Sequence, residues 1–155
     1  MFFDYPTEKG EPEEVTGFLA AAGDDMWTTL AEFCEVRKLR AGEVLAAEGD
    51  QDRSLLFVTS GELEATVPRG RRGARRVLAR YAAGSVVGEI SFFDGAPRSA
   101  SIGAVSDAEV FRLSFDSFES LCSIHPALGR RILLDLGRIL ATMVRTKDAQ
   151  LERYR

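Results

Sequence analysis

From Val15 to Val36 the apolar positions Phe18, Leu19, Met26, Leu30, Phe33 and Cys34 fall at three- and four-residue steps, which predicts helical structure over residues 15–36. Gly23-Asp24-Asp25 interrupts that stretch as a break and a new N-cap. The residues before it, 1–14, are polar with two prolines and are expected to form a loose arm. After Arg37 the texture changes. Short apolar runs alternate with turn signals such as Ala41-Gly42, Glu48-Gly49-Asp50, Ser60-Gly61, Arg69-Gly70, Ala83-Gly84, Asp94-Gly95 and Ser106-Asp107. Turns at this spacing predict a small all-β barrel or sandwich over 37–114. Leu63, Ala65 and Val67 alternate with Glu62, Glu64 and Thr66, as a half-buried strand requires.

Helical periodicity returns after Ser114. Phe115 to Cys122 predicts a short helix, and Pro126 opens a longer one, so that C-terminal helices span 115–152. Leu128, Ile132, Leu136, Ile139 and Met143 form one stripe, with Leu133, Leu140 and Val144 beside it. A helix over 127–152 would be roughly 39 Å long at about 1.5 Å per residue, more than a small barrel can cover. Two stripes call for two surfaces: the barrel, and a second copy of the same helix in a homodimer. Gly129 and Gly137 cost helix stability, which close approach of another backbone would explain.

Composition narrows the function. A chain of 155 residues, 45% hydrophobic and 28% charged, fits one globular domain over 15–155. Its net charge of −4 weakens a nucleic-acid reading. One hairpin, PRGRRGARR at 68–76, nevertheless carries five arginines. That is a solvated turn or a docking patch for an acidic partner or nucleic acid. Cys34 and Cys122 lie in apolar neighbourhoods without metal spacing and are expected to be reduced core thiols. The single histidine, His125, precedes Pro126 and reads as a loop or capping residue. No metal site, catalytic set or membrane span is expected, and the acidic N-terminus is unlike a secretion signal, so a cytoplasmic location is the default.

The candidate chemistry lies in GEISFFDGAPRSAS, residues 88–101. Arg98 offers a permanently charged planar fork that matches a phosphate. Glu89, ionised, can accept a hydrogen bond from a sugar hydroxyl. Residues 89–94 can form one helical turn whose free N–H groups near Ile90 and Ser91 would attract an anion, with Gly95 as a left-handed stop and Pro97 preventing continuation. Gly88 lets a ligand approach the backbone. Phe92 and Phe93 would anchor the turn, and Ser99 and Ser101 would add hydroxyl donors. Read for chemistry alone, these residues suit a ribose bearing a singly charged phosphate. On chemistry alone they suit better a salt bridge between Glu89 and Arg98 that merely closes a loop.

VVGEISFFDGAPRSAS resembles the phosphate-binding cassette of the cyclic nucleotide-binding domain family: Gly88-Glu89-Ile90, a short helix, then Arg98-Ser99-Ala100. RKLRAGEVLAAEGDQDRSLLFVTSGELEATV is similar to the family's first strands, and the likeness runs from about residue 30 to 145. It implies an eight-stranded antiparallel β-roll of jelly-roll type, with N-terminal helices and two C-terminal helices, the last one long. It implies cAMP, more than cGMP, as ligand. Glu89 would hold the ribose 2′-hydroxyl, and Arg98 and Ser99 the phosphate. The backbone at Ile90, Ser91 and Ala100 would complete the cradle, and Val86 and Val87 would line the pocket. The C-terminal helix would close as a lid, offering Arg138, Thr142, Met143 and Arg145 to the base. Three outputs follow: a cyclic-nucleotide sensor, a degenerate barrel working as an interaction module, and the effector half of a transcription regulator without its DNA-binding domain. The effector is unspecified in each, and the chain is either a stand-alone sensor or a fragment.

Overall fold

A computed structural model describes residues 13–14, 18–19, 22–70 and 72–153. In chain order these form β1 (Glu13–Glu14), α1 (Asp24–Glu32), β2 (Glu35–Leu39), β3 (Val44–Ala46), β4 (Leu55–Ser60), β5 (Leu63–Pro68) and β6 (Arg75–Tyr81). There follow β7 (Val86–Val87), α2 (Glu89–Asp94), β8 (Ser101–Ala104), β9 (Ala108–Leu113), α3 (Phe115–Ile124) and α4 (Pro126–Glu152). The strands build two sheets, ordered β1-β6-β5-β8-β3 and β2-β9-β4-β7. The eight strands β2–β9 pair antiparallel, and only the two-residue β1 joins in parallel, along β6. This is the expected roll with flanking helices.

In the four-stranded sheet β7 and the first four residues of β4 are buried on both faces, which explains why LLFV and VV read as continuous apolar runs. Successive side chains on a strand point to opposite faces. Leu56 and Val58 of β4, with Val87 and Val110, therefore join the core inside the roll. Leu55 and Phe57, with Val86 and Leu113, join a second core beneath the helices. Leu128, Ile132 and Leu136 of α4, Leu121 of α3 and Leu30 of α1 complete that second core. Ser114 caps α3 by accepting from the Ser117 N–H at 3.1 Å. Gly129 lets α4 press onto α3, since a Cβ there would stand 3.3 Å from the Cys122 Cα. The second stripe of α4 stays open: Leu133 and Val144 are exposed and Leu140 is half-buried.

Three expected boundaries shift. The helix expected over 15–36 is the shorter α1, ending at Glu32 with Phe33 as C-cap. The chain is already strand by Glu35 and Val36, because those residues pair with Arg112 and Phe111 of β9. Upstream, Phe18-Leu19 form a turn with Leu19 at φ 49°, both side chains buried, so their apolar spacing reports core contact and not helix. Glu13-Glu14, counted with the loose arm, pair with Ala79 and Arg80; residues 1–12 lie outside the described residues. Cys34 and Cys122 are free thiols, and burial pushes the Cys34 thiol up to about 12, leaving it unreactive. His125 is the C-cap of α3, its ring edge-on to Phe33.

Candidate functional site

β7 delivers the chain to the site, and α2 begins there. Gly88 is the N-cap of α2 at φ 92°, a left-handed conformation that favours glycine. Space demands glycine as well. A Cβ would collide with the Arg98 guanidinium and stand 2.9 Å from the Ser54 carbonyl oxygen. Gly95, at φ 68°, ends α2 and donates to the Ser91 carbonyl at 2.9 Å, the stop that the sequence suggests. The chain then doubles back, so that Arg98 lies beside the start of the helix it follows.

Arg98 is only 4% exposed. Its Nη2 donates to the Ser54 carbonyl at 2.7 Å and its Nη1 to the Gly88 carbonyl at 3.2 Å. Nη2 also lies 3.4 Å from Asp52 Oδ2. Its backbone is fixed too, donating to Asp50 O at 2.9 Å and accepting from the Gly49 N–H at 2.8 Å. Its Nε is buried with no hydrogen-bond partner among the described residues. A buried guanidinium is tolerated when carbonyls and a carboxylate surround it, and an idle donor within such a site has unspent capacity. The loop-closing ion pair expected as the plain alternative is not the one formed: Arg98 pairs with Asp52, not Glu89.

Glu89 is buried at the first turn of α2. Burial pushes its carboxyl above the usual glutamate range, while the N–H groups of Glu89 and Gly88 and the nearby Arg98 charge pull the other way. The N–H groups that serve this carboxylate are thus those of Gly88 and Glu89, not those near Ile90 and Ser91 that the sequence assigns to an anion. Asp52 moves oppositely. Partial burial would raise it, but the Ser54 hydroxyl and N–H, then Arg112 and Arg98, together hold it below the ordinary aspartate range. Asp52 Oδ1 accepts from Ser54 Oγ at 2.7 Å and from Arg112 Nη2 at 3.2 Å, so one carboxylate bridges two arginines.

Around this pair lies a cleft of about 400 Å³, part of it open to solvent. Val87, Gly88, Glu89, Ile90, Ser91, Arg98, Ser99 and Ala100 all line it. Val86 does not. It points to the opposite face of its strand, into the core beneath the helices. Ser101 turns away as well, its hydroxyl accepting from the Glu48 N–H at 3.0 Å. None of the lid candidates reaches the cleft: Arg138 is exposed and pairs with Asp135, Thr142 donates to the Arg138 carbonyl, and Met143 and Arg145 lie elsewhere on α4. Ala65, Tyr81 and Ile102 form the apolar wall, unassigned in the sequence. The alternation at 63–67 places Ala65 inward and was the only signal available for this wall. Asp52 and Ser54, which hold Arg98 from 46 and 44 positions away, leave no local trace.

The profile of the cyclic nucleotide-binding domain matches residues 36–125, more than half of the chain. The chain belongs to the cyclic nucleotide-binding domain family. Among solved structures, the catabolite activator protein of Thermus thermophilus superposes with a TM-score of 0.74 at 25% identity, over 88% of this chain and 62% of that one. The regulatory domain of Toxoplasma gondii PKA, crystallised with cAMP, is 29% identical with a TM-score of 0.55, over 66% of this chain and 39% of that one. Glutaminase 1 of Bradyrhizobium diazoefficiens is 29% identical over 97% of this chain, which spans only 23% of that relative's length. The matched span contains the Gly88–Ala100 segment that lines the cleft. Among the described residues no helix is long and apolar enough to cross a membrane, and no group of acidic, histidine or cysteine side chains could hold a metal ion.

Proposed function

We propose that this cyclic nucleotide-binding domain captures cAMP, in preference to cGMP, and acts as a sensor whose ligand biases the position of α4. The observation that carries the reading is the buried guanidinium of Arg98, which lines the cleft with an Nε that has no partner. A cyclic phosphate would give that donor an acceptor and bring a compensating charge to a buried cation. Glu89, at the first turn of α2, is the group for a ribose hydroxyl. Ile90, Ser91, Ser99 and Ala100 edge the phosphate position, and Val87, Ala65, Tyr81 and Ile102 offer the apolar surface for a sugar or base. The Toxoplasma gondii relative, bound to cAMP, supports the choice of adenine. Arg138, Thr142, Met143 and Arg145 lie outside the cleft, so a lid role requires α4 to move, which is the event that ligand would bias. The exposed Leu133 and Val144 stripe is where a second copy would pack to form a homodimer, and the protein that receives the signal is a separate partner or a further domain.

One observation favours a competing reading, a family member that has lost its ligand and serves as an interaction module. Three acceptors already engage the Arg98 fork: Gly88 O, Ser54 O and Asp52. Calorimetric titration with cAMP and cGMP separates the two. The sensor reading expects saturable binding of cAMP to the intact chain. Arg98→Ala and Arg98→Lys should each weaken it, the former by about 3 kcal/mol, roughly a hundredfold. Absence of binding to a folded chain would overturn the sensor reading and leave the module as the reading to test.

A further inference from the structure

Arg53 stands between Asp52 and Ser54, the two residues that hold Arg98, and turns the other way. Its Nη2 donates to the Phe92 carbonyl at 2.7 Å and its Nε to the same oxygen at 3.2 Å. The Phe93 carbonyl lies 3.5 Å from Nη2. These are last-turn carbonyls of α2, which have no partner within the helix and favour a cation. The usual continuation is blocked, because the Ala96 N–H donates to the Asp94 side chain. On its other side the Arg53 guanidinium lies 3.8 Å over the ring of Phe115, the first residue of α3. Phe115 also packs on Phe92 at 5.4 Å between centroids. One planar cation therefore joins the loop before β4, the far end of α2 and the start of α3.

We propose that Arg53 is a positioning residue that ties the state of α2 to α3, and through the tight α3–α4 contact at Gly129 to the C-terminal helix. The inference rests on reading the cleft as a cyclic-nucleotide site, since capture at the first turn of α2 is the event it would pass on. The path is physical. A shift of α2 moves the carbonyls that Arg53 grips, and the guanidinium cannot follow them without sliding on the Phe115 ring. Both functions need a flat, multidentate cation. A lysine ammonium has the charge but neither the fork nor the stacking plane.

Hydrogen exchange on the full chain, free and with saturating cAMP, tests this, with affinities measured in parallel. In free Arg53→Ala, exchange should accelerate together in 89–94 and in 115–124, by up to roughly tenfold. In the native chain cAMP should alter protection in both segments. In Arg53→Ala the response in 89–94 should persist and that in 115–124 should shrink, the direct packing of Phe92 on Phe115 and Phe118 carrying what remains, with cAMP affinity falling less than about tenfold. Arg53→Lys should behave like the alanine variant, where a role confined to charge predicts rescue. Should Arg53→Ala fail to fold, Arg53→Lys and Phe115→Leu carry the same comparison. In a double-mutant cycle, losses from Arg53→Lys and Phe115→Leu should be less than additive. An unchanged 115–124 response in folded Arg53 variants overturns the proposal. If the native chain binds no cAMP, the cleft reading fails instead. Arg53 is then judged on the free chain alone, where acceleration in only one of the two segments overturns it.

Discussion

The site depends on one cation held in a place where cations are costly. Arg98 is tolerated because carbonyls from two directions and the Asp52 carboxylate meet it, and because Gly88 leaves room for its guanidinium. Gly88→Ala would push a methyl group into that space while holding a left-handed φ that costs about 1–2 kcal/mol for other residues. Chemical denaturation should show a loss of about 2 kcal/mol or more, and cAMP titration should show a parallel loss of affinity. The two carboxylates respond to pH in opposite senses. Glu89 has a raised folded-state pKa, so its contribution is complete below the unfolded range near about 4.3 and is lost as pH climbs through the folded value. Glu89→Gln should therefore gain stability over the native chain as pH rises from about 4 towards neutrality, and the gap should close in acid. Asp52 is lowered, so its contribution is present above the unfolded range and disappears as pH falls through the folded value. A stability difference between Asp52→Asn and the native chain that stays constant through acid would contradict that assignment.

At the scale of elements, the short helix α2 is held by its apolar side and by its ends. Phe92 is 1% exposed, edge-on to Phe118 at 5.0 Å and tilted against Phe115. Phe92→Ala should cost about 3–5 kcal/mol of stability, measured by thermal or chemical unfolding, because it removes a fully buried ring from the core beneath the helices. Phe93, its neighbour, is exposed at 42%, so the sequence expectation that both phenylalanines anchor the turn holds for only one. The turn into and out of α2 was legible because its signals are local: Gly88, Glu89, Gly95 and Pro97 each have a turn or helix-end preference within 10 consecutive residues. The roll was legible from its turns, and α4 from its apolar stripe. What escaped was set by register across sheets. Val86 and Val87 look identical in the chain, and only the pairing of β7 with Phe57 and Leu56 of β4 decides which faces the cleft. The strand start at Glu35 escaped for a related reason, since every β2 residue before Leu39 is exposed and no apolar alternation marks it.

At the scale of the molecule, charge and apolar surface are unevenly distributed. The hairpin between β5 and β6 exposes Arg69, Arg72 and Arg75 on a chain of net charge −4. Arg75 is partly engaged, its Nε donating to Thr66 Oγ1 at 2.8 Å. Along α4, the first stripe is buried at Leu128, Ile132 and Leu136 and half-buried at Ile139 and Met143, while Leu133 at 40% and Val144 at 44% face outward. A helix with two apolar stripes and one covered surface is expected to self-associate. Sedimentation should detect a dimer whose population rises with concentration, and Leu133→Glu with Val144→Glu should give monomers that still bind cAMP. A native chain that remains monomeric at every concentration would contradict the packing argument.

The central claim is that the cleft around Arg98 receives the nucleotide. Amide chemical shifts followed through a cAMP titration of the native chain test it most directly. The account predicts the largest changes at Val87–Ser91 and Arg98–Ala100, saturating together, and absent in Arg98→Ala. Changes confined to the arginine hairpin at 68–76, or a saturating response that survives Arg98→Ala unaltered, would contradict it.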